Sequence, residues 1–194
     1  LMNTALFLDA QVTLKSIVDH EVDVLVSVKE RWYIFPVPYF KPVDRNLNEW
    51  LVKHKGSIDR VNYGVKFMHN NTTGFNDKLQ VWMLDGYTKQ FSFRYDRLYI
   101  DHELKWGANL GFSTGKNREV NYNTINNKQA FLRENRYIRS FTWAKAELTY
   151  RPAIRTTHRF GLTVTNENVS DTILNLNPNY FKKDKPYITF PELY

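Results

Sequence analysis

One short segment of the chain contains three carboxylates that could act together in catalysis. Asp96, Asp101 and Glu103 fall within one short segment, and a carboxylate pair can serve as general acid and general base. The surrounding sequence gives no sign of a cleft, so a solvated turn is the favoured interpretation. The chain has no G-x-S-x-G, H-E-x-x-H, P-loop or G-x-G-x-x-G motif. The sequence therefore predicts no catalytic residue and no enzymatic activity.

Residues that commonly bind metals are dispersed or missing. The chain has 5 His and no Cys, and a chain without cysteine has no disulfide, thiolate metal site or cysteine nucleophile. The histidines fall on different predicted elements, at His20, His54, His69, His102 and His158. We therefore expect no metal site and no cofactor.

The composition is that of a folded protein with a basic surface. The 194 residues are 42% hydrophobic and 24% charged, which excludes a disordered chain. The net charge of +7 suits nucleic acid, a lipid headgroup layer or simple solubility. The basic residues are dispersed without a nucleic-acid-binding motif, so we expect no nucleic-acid partner. The longest apolar stretch, Trp32 to Phe40, is interrupted by prolines and is too short for a transmembrane helix, which needs ~20 residues.

Most of the chain alternates between apolar and polar or small residues with a period of two, which is typical of strands with two unlike faces. One clear run places Leu110 and Phe112 on one face and Asn109 on the other. Helix is predicted only for 1–7 and around 46–54. The predicted strands cover 9–15, 21–31, 33–43, 61–70, 78–85, 90–100, 104–115, 138–151, 158–168 and a beginning at 187–194.

From residue 33 onward, long and short connections between the predicted strands alternate, apart from 86–89. A transmembrane barrel has long extracellular loops and short periplasmic turns, whereas a soluble barrel has no reason for this pattern. The strand lengths also suit a membrane, which ~9–11 tilted residues cross. We therefore predict an antiparallel transmembrane β-barrel, with a soluble eight-stranded ligand-binding barrel as the alternative. The predicted lipid-facing residues are Val65, Phe67, Phe93, Leu110, Leu148 and Leu162.

Neither end of the chain completes a structural unit in this interpretation. The eighth barrel strand is cut at Tyr194, and residues 1–31 hold only a helix end and two strands. We expect both ends to be truncations of a larger chain.

Three prolines, Pro36, Pro38 and Pro42, fall in the first predicted barrel strand, 33–43. In an antiparallel strand, residues of equal parity direct their N–H groups to the same edge. Because proline has no N–H group, all three remove hydrogen-bond donors from one edge only. Such an edge could form a seam that opens easily, or it could simply be protected against aggregation. Both interpretations remain open at this stage.

The first part of the chain resembles the last POTRA repeat of the BamA/TamA outer-membrane assembly-barrel family, the bacterial surface antigen superfamily. Residues 1–7 are similar to the end of that repeat's second helix and 9–15 to the following strand. The most specific match is V-D-V-L-V-S-V-K-E-R at 22–31, followed directly by an amphipathic strand. We expect its alternate valines to face a small α/β core; they are Val22, Val24, Val26 and Val28.

Residues 32–194 resemble the N-terminal half of the family's barrel. Residues 60–67 are similar to its second strand, Asn71 to Gly74 to its Asn-x-x-Gly periplasmic turn, and 86–93 to its third-to-fourth strand connection. The resemblance implies a mainly all-β fold with about 7–8 of ~16 barrel strands after a partial POTRA repeat. The chain departs from the family pattern at Asn76, where a second glycine is common.

The resemblance implies a protein that assembles and inserts β-barrel proteins in the Gram-negative outer membrane, with residues 1–31 in the periplasm. Its partners would be unfolded outer-membrane proteins, outer-membrane lipid and lipopolysaccharide, and accessory lipoproteins. An alternative within the superfamily is a secretion pore, or the membrane anchor of an upstream patatin-like lipase domain. The implied lateral-gate strand contains Phe35, Pro36, Val37, Pro38, Tyr39 and Pro42. The basic residues of the 116–137 loop are candidates for contact with lipopolysaccharide, and simple solvation is the favoured interpretation; they are Lys116, Arg118, Lys128, Arg133 and Arg136.

On the gate interpretation, we expect Phe35, Val37 and Tyr39 to lie on the lipid side of the strand. The pairing of the first strand with 61–70 is expected to use the edge that keeps its N–H groups.

Overall fold

The computed structural model describes residues 6–18, 21–44, 46–181 and 185–194. Period-two alternation has produced strands throughout, and the predicted class, mainly β with antiparallel pairing, is confirmed. The strands are β1 (Phe7–Val18), β2 (Glu21–Glu30), β3 (Ile34–Pro42), β4 (Val61–Asn70), β5 (Lys78–Gly86), β6 (Thr88–Arg97), β7 (Trp106–Asn117), β8 (Glu119–Ile125), β9 (Lys128–Arg133), β10 (Arg139–Ala153), β11 (Thr156–Val169) and β12 (Tyr187–Leu193).

Eight of these strands form one sheet in the order β12-β11-β10-β7-β6-β5-β4-β3, and every neighbouring pair is antiparallel. The hairpins β1-β2 and β8-β9 form two separate small sheets. Within the described ranges, helical structure is limited to short turns at Glu49–Lys53 and Ile58–Arg60 and to α1 (Asp171–Leu176). Phe7, predicted to end a helix, instead begins β1, and the rest of that predicted helix lies mostly outside the described residues.

The connections of the large sheet differ in length at its two ends. The long connections 43–60, 118–138 and 170–186 leave from one end, which we call the long-loop end. The short connections at the other end are 71–77, 98–105 and 154–155. Tyr87 alone joins β5 to β6 at the long-loop end, so the predicted alternation holds with the exception that the sequence indicated.

The two faces of the sheet differ in character. Residues directly opposite each other in an antiparallel pair share a face, so the register can be followed from β4 to β11. One face, the apolar face, contains all six residues predicted to face lipid, and their contact with lipid stays a prediction. Other large side chains on the apolar face are Met83, Phe91, Phe112, Phe160 and Val164.

The apolar face is exposed in the isolated chain. Leu110, Leu148 and Leu162 are 49%, 47% and 42% exposed, although core positions of a soluble barrel would be buried. A contiguous apolar surface of this extent marks a membrane or a large partner. The opposite face, the polar face, carries Lys66, Gln80, Ser92, Arg94, Asn109, Ser113, Lys145, Glu147, Arg159 and Thr163.

A small hydrophobic core lies at the long-loop end, built by segments that the sequence interpretation left as loops together with Ile138, the first residue of the predicted strand 138–151. Four buried side chains pack together there: Val120 of β8, Ile138 just before β10, Val169 at the end of β11 and Ile173 of α1. The partly buried side chains around them are Tyr122, Leu132, Leu174, Tyr180 and Phe181. We call this unit of β8, β9 and α1 the loop cap.

Tyr87 connects the loop cap to the sheet. Its hydroxyl donates to Glu119 Oε2 at 2.5 Å, and the Arg133 guanidinium lies 5.0 Å from the centre of its ring. Burial, reinforced by the Glu119 carboxylate, raises the pKa of the Tyr87 hydroxyl well above its usual value. The Tyr137 hydroxyl donates to Gly86 O at 2.9 Å, so the connection of one residue is held from two sides.

The β1-β2 hairpin gathers its apolar side chains on one face. Val12 lies opposite Val26, and Leu14 opposite Val24. The four valines predicted to face a small core share this face but are 41% to 56% exposed. Their predicted burial is therefore not observed among the described residues, and residues 1–5 of the expected covering helix lie outside them.

The turn between β4 and β5 is built around one buried carboxylate. Asp77 is fully buried; Thr73 N donates to Asp77 Oδ1 at 2.9 Å and the Tyr95 hydroxyl donates to Oδ2 at 2.8 Å. Asn76 occupies the left-handed region at φ 57°, and its N–H donates to Asn71 Oδ1 at 2.9 Å. Asparagine tolerates this conformation better than other non-glycine residues, so the turn forms without a glycine at this position.

We expect Asp77→Asn to destabilise the protein by about 1–3 kcal/mol at pH 7, because the turn loses charge-assisted hydrogen bonds. Burial alone would raise the pKa of Asp77, but the hydrogen bonds from Thr73 and Tyr95 hold it below its usual value near 3.8. The ionised carboxylate therefore stabilises the fold above that value and loses this effect as pH falls through the folded-state pKa. Urea unfolding of both proteins from pH 7 to pH 3 checks this, since the difference must shrink below pH 4. A difference that is constant with pH would contradict it.

Candidate functional site

The candidate site is the outer edge of β3, the first strand of the large sheet. Val43 N donates to Arg60 O, and Asn70 N donates to Tyr33 O, both at 2.9 Å. These bonds show that the odd-numbered residues of β3 direct their backbone groups toward β4. The even-numbered residues therefore direct theirs to the other edge, which pairs with no strand among the described residues. We call it the unpaired edge.

The unpaired edge is poor in hydrogen-bond donors and rich in acceptors. Pro36, Pro38 and Pro42 are even-numbered and have no N–H group, which leaves only Ile34 and Phe40 as donors along β3. All five even-numbered residues keep their carbonyl groups. A strand that pairs with this edge would therefore form fewer hydrogen bonds than at an ordinary sheet edge.

The ends of β3 are held in place by local contacts. The Trp32 indole N–H donates to the carbonyl oxygen of Ile34, one of the acceptors of the unpaired edge. At the other end, Asp44 forms an ion pair with Arg60, with Asp44 Oδ2 2.8 Å from Arg60 Nε. The hydrogen bond from Arg60 holds the pKa of the Asp44 carboxyl below its usual value. These contacts fix the strand while its outer edge stays free.

The register corrects one expectation about β3. Pro36 and Pro38 lie opposite Phe67 and Val65, and so belong to the apolar face. Phe35, Val37 and Tyr39 lie on the polar face, so their expected lipid-side position is wrong if Val65 and Phe67 face lipid. Tyr39 contacts Trp82 of β5 on this face, with ring centres 5.7 Å apart. Successive side chains of a strand point to opposite faces. Because β3 has apolar residues at both even and odd positions, its sequence alone does not show which set lies on which face.

The opposite edge of the large sheet shows a related feature that the sequence interpretation missed. Gly161 and Tyr194 exchange backbone hydrogen bonds at 2.9 and 3.2 Å. The odd-numbered residues of β12 therefore direct their backbone N–H and C=O groups away from β11, and Pro191 is one of these residues. Its missing N–H group falls on the outer edge of β12. Pro191 is visible in the sequence, but only the register of β12 against β11 shows which edge lacks its N–H group.

The structure does not bring the three candidate carboxylates together as a catalytic pair. Asp96 pairs with Arg94, at 2.8 Å from Oδ2 to Nε. Asp101 accepts hydrogen bonds from the backbone of the 101–106 turn, and Glu103 pairs with Lys105 at 2.7 Å. The described part of the chain contains no group of three or more His, Cys, Asp or Glu residues that could hold a metal ion.

One of three comparisons with known proteins found a similar architecture. No protein-family model matches the chain, and no curated protein sequence matches it. The structure is similar to BamA from Haemophilus ducreyi lacking POTRA domains 1–3, with a TM-score of 0.52 and 13% sequence identity. The fold is similar to that of BamA. The match covers 98% of this chain and 34% of the BamA chain, so the chain spans about a third of that protein.

The match to BamA covers nearly the whole chain, so it includes the strands of the large sheet. It supports the interpretation of the open eight-stranded sheet as part of a barrel. Among the described residues, no helix has both the length and the apolar character needed to cross a membrane.

Proposed function

We propose that the chain is part of an outer-membrane barrel whose apolar face contacts lipid, with residues 1–31 as a periplasmic POTRA portion and 32–194 as barrel. The continuous exposed apolar face supports this proposal, since a soluble barrel would turn these side chains inward. The long-loop end then faces outward and the short turns face the periplasm.

Within that barrel, the chain acts as an assembly and insertion factor for other outer-membrane proteins. The observation that carries this proposal is the donor-poor unpaired edge of β3. An unfolded substrate can add a strand to this edge by backbone hydrogen bonding, without any covalent chemistry. Because Pro36, Pro38 and Pro42 remove three donors, the added strand is held weakly and can be released into the bilayer.

The gate residues take different roles in this proposal because they lie on different faces. The prolines weaken the hydrogen-bonded edge and belong to the apolar face. Phe35, Val37 and Tyr39 keep their N–H groups for β4 and present side chains to the polar face. They hold β3 in the sheet while the other edge exchanges partners.

The proposed contact with lipopolysaccharide involves fewer loop cations than the sequence indicated. Arg118 and Arg133 lie against the rings of Tyr137 and Tyr87, and Arg136 pairs with Glu134. Lys116 and Lys128 have neither an ion pair nor a ring contact with a described residue and are the better candidates. Accessory lipoproteins remain a proposal derived from the family resemblance.

A disulfide crosslinking experiment tests the proposed strand addition. At the unpaired edge, Val37 is a non-hydrogen-bonded position, where paired Cα atoms approach to about 4.5 Å and a disulfide can form. The chain has no cysteine, so Val37→Cys introduces a single thiol. We expect the full-length variant, reconstituted in lipid vesicles, to crosslink to a cysteine in the terminal strand of an unfolded barrel substrate and to accelerate its insertion.

Lys66→Cys is the matched control, because Lys66 lies directly opposite Val37 on β4, which has strands on both sides. It is expected to give no crosslink while insertion proceeds. Equal crosslinking at both positions would overturn the proposed strand addition. Insertion at the rate of empty vesicles would overturn the proposed insertion function and favour the secretion-pore or membrane-anchor alternative.

A further inference from the structure

Two adjoining cavities lie on the polar face of the sheet, across β7, β10 and β11. Their volumes are about 330 and 210 Å³, and both are lined by Asn109 and Arg159. The larger cavity is also lined by Arg94, Asp96, Trp143, Lys145 and Glu147, and the smaller by Arg97, Tyr99, Lys105, Thr149, Arg151 and Thr157. We call the two together the polar groove.

Two glycines of β7 line the groove, Gly107 in the smaller cavity and Gly111 in the larger. A Cβ atom at Gly107 would lie 2.5 Å from Leu98 O, so the position accepts no larger residue without displacement of backbone. At Gly111 a Cβ atom would lie 3.0 Å from the Trp143 ring. The neighbouring backbone and the Trp143 ring therefore pack directly against β7 at the wall of the groove.

Most charges of the larger cavity are already neutralised within the protein. Arg94 pairs with Asp96 at 2.8 Å, and Lys145 pairs with Glu147 at 2.9 Å. Glu147 also accepts hydrogen bonds from Asn109 Nδ2 at 2.7 Å and from the Tyr194 hydroxyl at 2.6 Å. Each of these carboxylates is therefore already paired with a cation of its own strand.

Three arginines that line the groove form no ion pair with a carboxylate among the described residues. The Arg97 guanidinium lies against the Phe75 ring, 4.6 Å from its centre, and its Nε donates to Tyr99 O at 3.1 Å. Arg151 and Arg159 are the other two. Arg151 is oriented by hydrogen bonds to the Tyr99 hydroxyl at 3.2 Å and to Ile154 O at 2.8 Å. Arg159 lies directly opposite Thr149 in the register, so the two arginines are diagonal neighbours on the same face of adjacent strands. We call them the arginine pair.

We propose that the arginine pair is a binding site for a phosphate group. Two unneutralised guanidinium groups carry charge +2, which matches a phosphate monoester or inorganic phosphate near neutral pH better than a carboxylate. A phosphate also presents three oxygens, enough for two guanidinium forks, whereas one fork satisfies both oxygens of a carboxylate. The hydroxyls of Thr149 and Thr157, which also line the smaller cavity, supply further donors.

Calorimetric titration of the full-length protein in nonionic detergent tests the site. The probes are inorganic phosphate and dihexanoyl phosphatidic acid, with dihexanoyl phosphatidylcholine as the neutral-headgroup comparison. Inorganic phosphate binding indicates a site for soluble phosphate, and binding of phosphatidic acid alone indicates a lipid headgroup. Either result supports the proposal, and the absence of binding by both probes would overturn it.

Two substitutions distinguish phosphate binding at the arginine pair from nonspecific attraction to a basic surface. Arg159→Gln is expected to weaken phosphate binding about tenfold, as the loss of a charge-assisted hydrogen-bonding group predicts. Arg155→Gln is the matched control, because this exposed arginine lies in the adjacent turn and lines neither cavity. It is expected to change the affinity by less than about twofold, in line with exposed charges.

Circular dichroism and heat-dependent gel mobility establish that each variant is folded. Arg159→Lys, which keeps the charge but not the fork, is expected to give an intermediate affinity. Equal losses in the Arg155 and Arg159 variants would overturn the assignment to the arginine pair. Because no insertion reaction is measured, this result is independent of the proposed insertion function.

Discussion

Leu110→Arg is expected to lower the free energy of unfolding in lipid vesicles by about 2–4 kcal/mol, the cost of a cation on the lipid face near mid-bilayer. Leu110 lies in the middle of β7, between Tyr95 of β6 and Ala146 of β10 on the apolar face. Its side chain is 49% exposed in the isolated chain, so the arginine would lie on the surface that is proposed to contact lipid. Guanidinium unfolding monitored by tryptophan fluorescence gives the difference.

The neighbouring substitution Asn109→Lys is the control for this prediction. Asn109 lies on the polar face and donates to Glu147 Oε1 at 2.7 Å, and lysine keeps a donor for that carboxylate. A polar-face substitution is expected to cost less than about 1 kcal/mol. If both variants lost the same stability in vesicles, the assignment of the two faces would be refuted.

The alternation of the sequence was enough to predict the eight strands of the large sheet and, outside β3, which side chains of each strand share a face. Side-chain direction along a strand depends only on parity, so Leu110, Leu148 and Leu162 could each be assigned to the apolar side of their own strand. The register then placed all three on one face. The turn at 71–74 could also be predicted from its own residues, because Asn71 and Gly74 both adopt the left-handed region there.

The face of β3 could not be predicted because its sequence is apolar at both parities. Ile34 and Phe40 stand at even positions, and Phe35 and Val37 at odd ones. Only the pairing of Phe35 with Met68 and of the neighbouring residues with β4 decides which set belongs to the polar face. A shift of one residue in that register would exchange the two sets.

The loop cap was missed for a different physical reason. Its buried residues Ile138, Val169 and Ile173 belong to three segments, and none of these segments alone shows an apolar period long enough to predict a core. The stabilising contacts form only after the large sheet has brought the connections 118–138 and 170–186 to the same end. Such contacts depend on tertiary structure, which sequence periodicity does not report.

Replacement of all three prolines of β3 by valine is expected to strengthen strand pairing at the unpaired edge by about 2–4 kcal/mol. The variant gains three backbone donors, and each hydrogen bond contributes ~0.5–1.5 kcal/mol. If the edge is the proposed gate, this change slows release of an added strand, and insertion turnover falls by on the order of a hundredfold. The rate of substrate folding in vesicles containing the full-length protein measures it.

Pro152→Val is the control, because Pro152 lies near the end of β10, a strand with β7 and β11 on either side. Its turnover is expected to equal that of the unchanged protein. The triple variant also separates the two interpretations of the prolines. If they only protect the edge from aggregation, the variant will associate through β3 into dimers or larger species while its monomer inserts substrate at the normal rate. If they weaken a gate, the monomer itself will insert slowly and hydrogen exchange at the backbone of Ile34–Pro42 will slow in the presence of substrate.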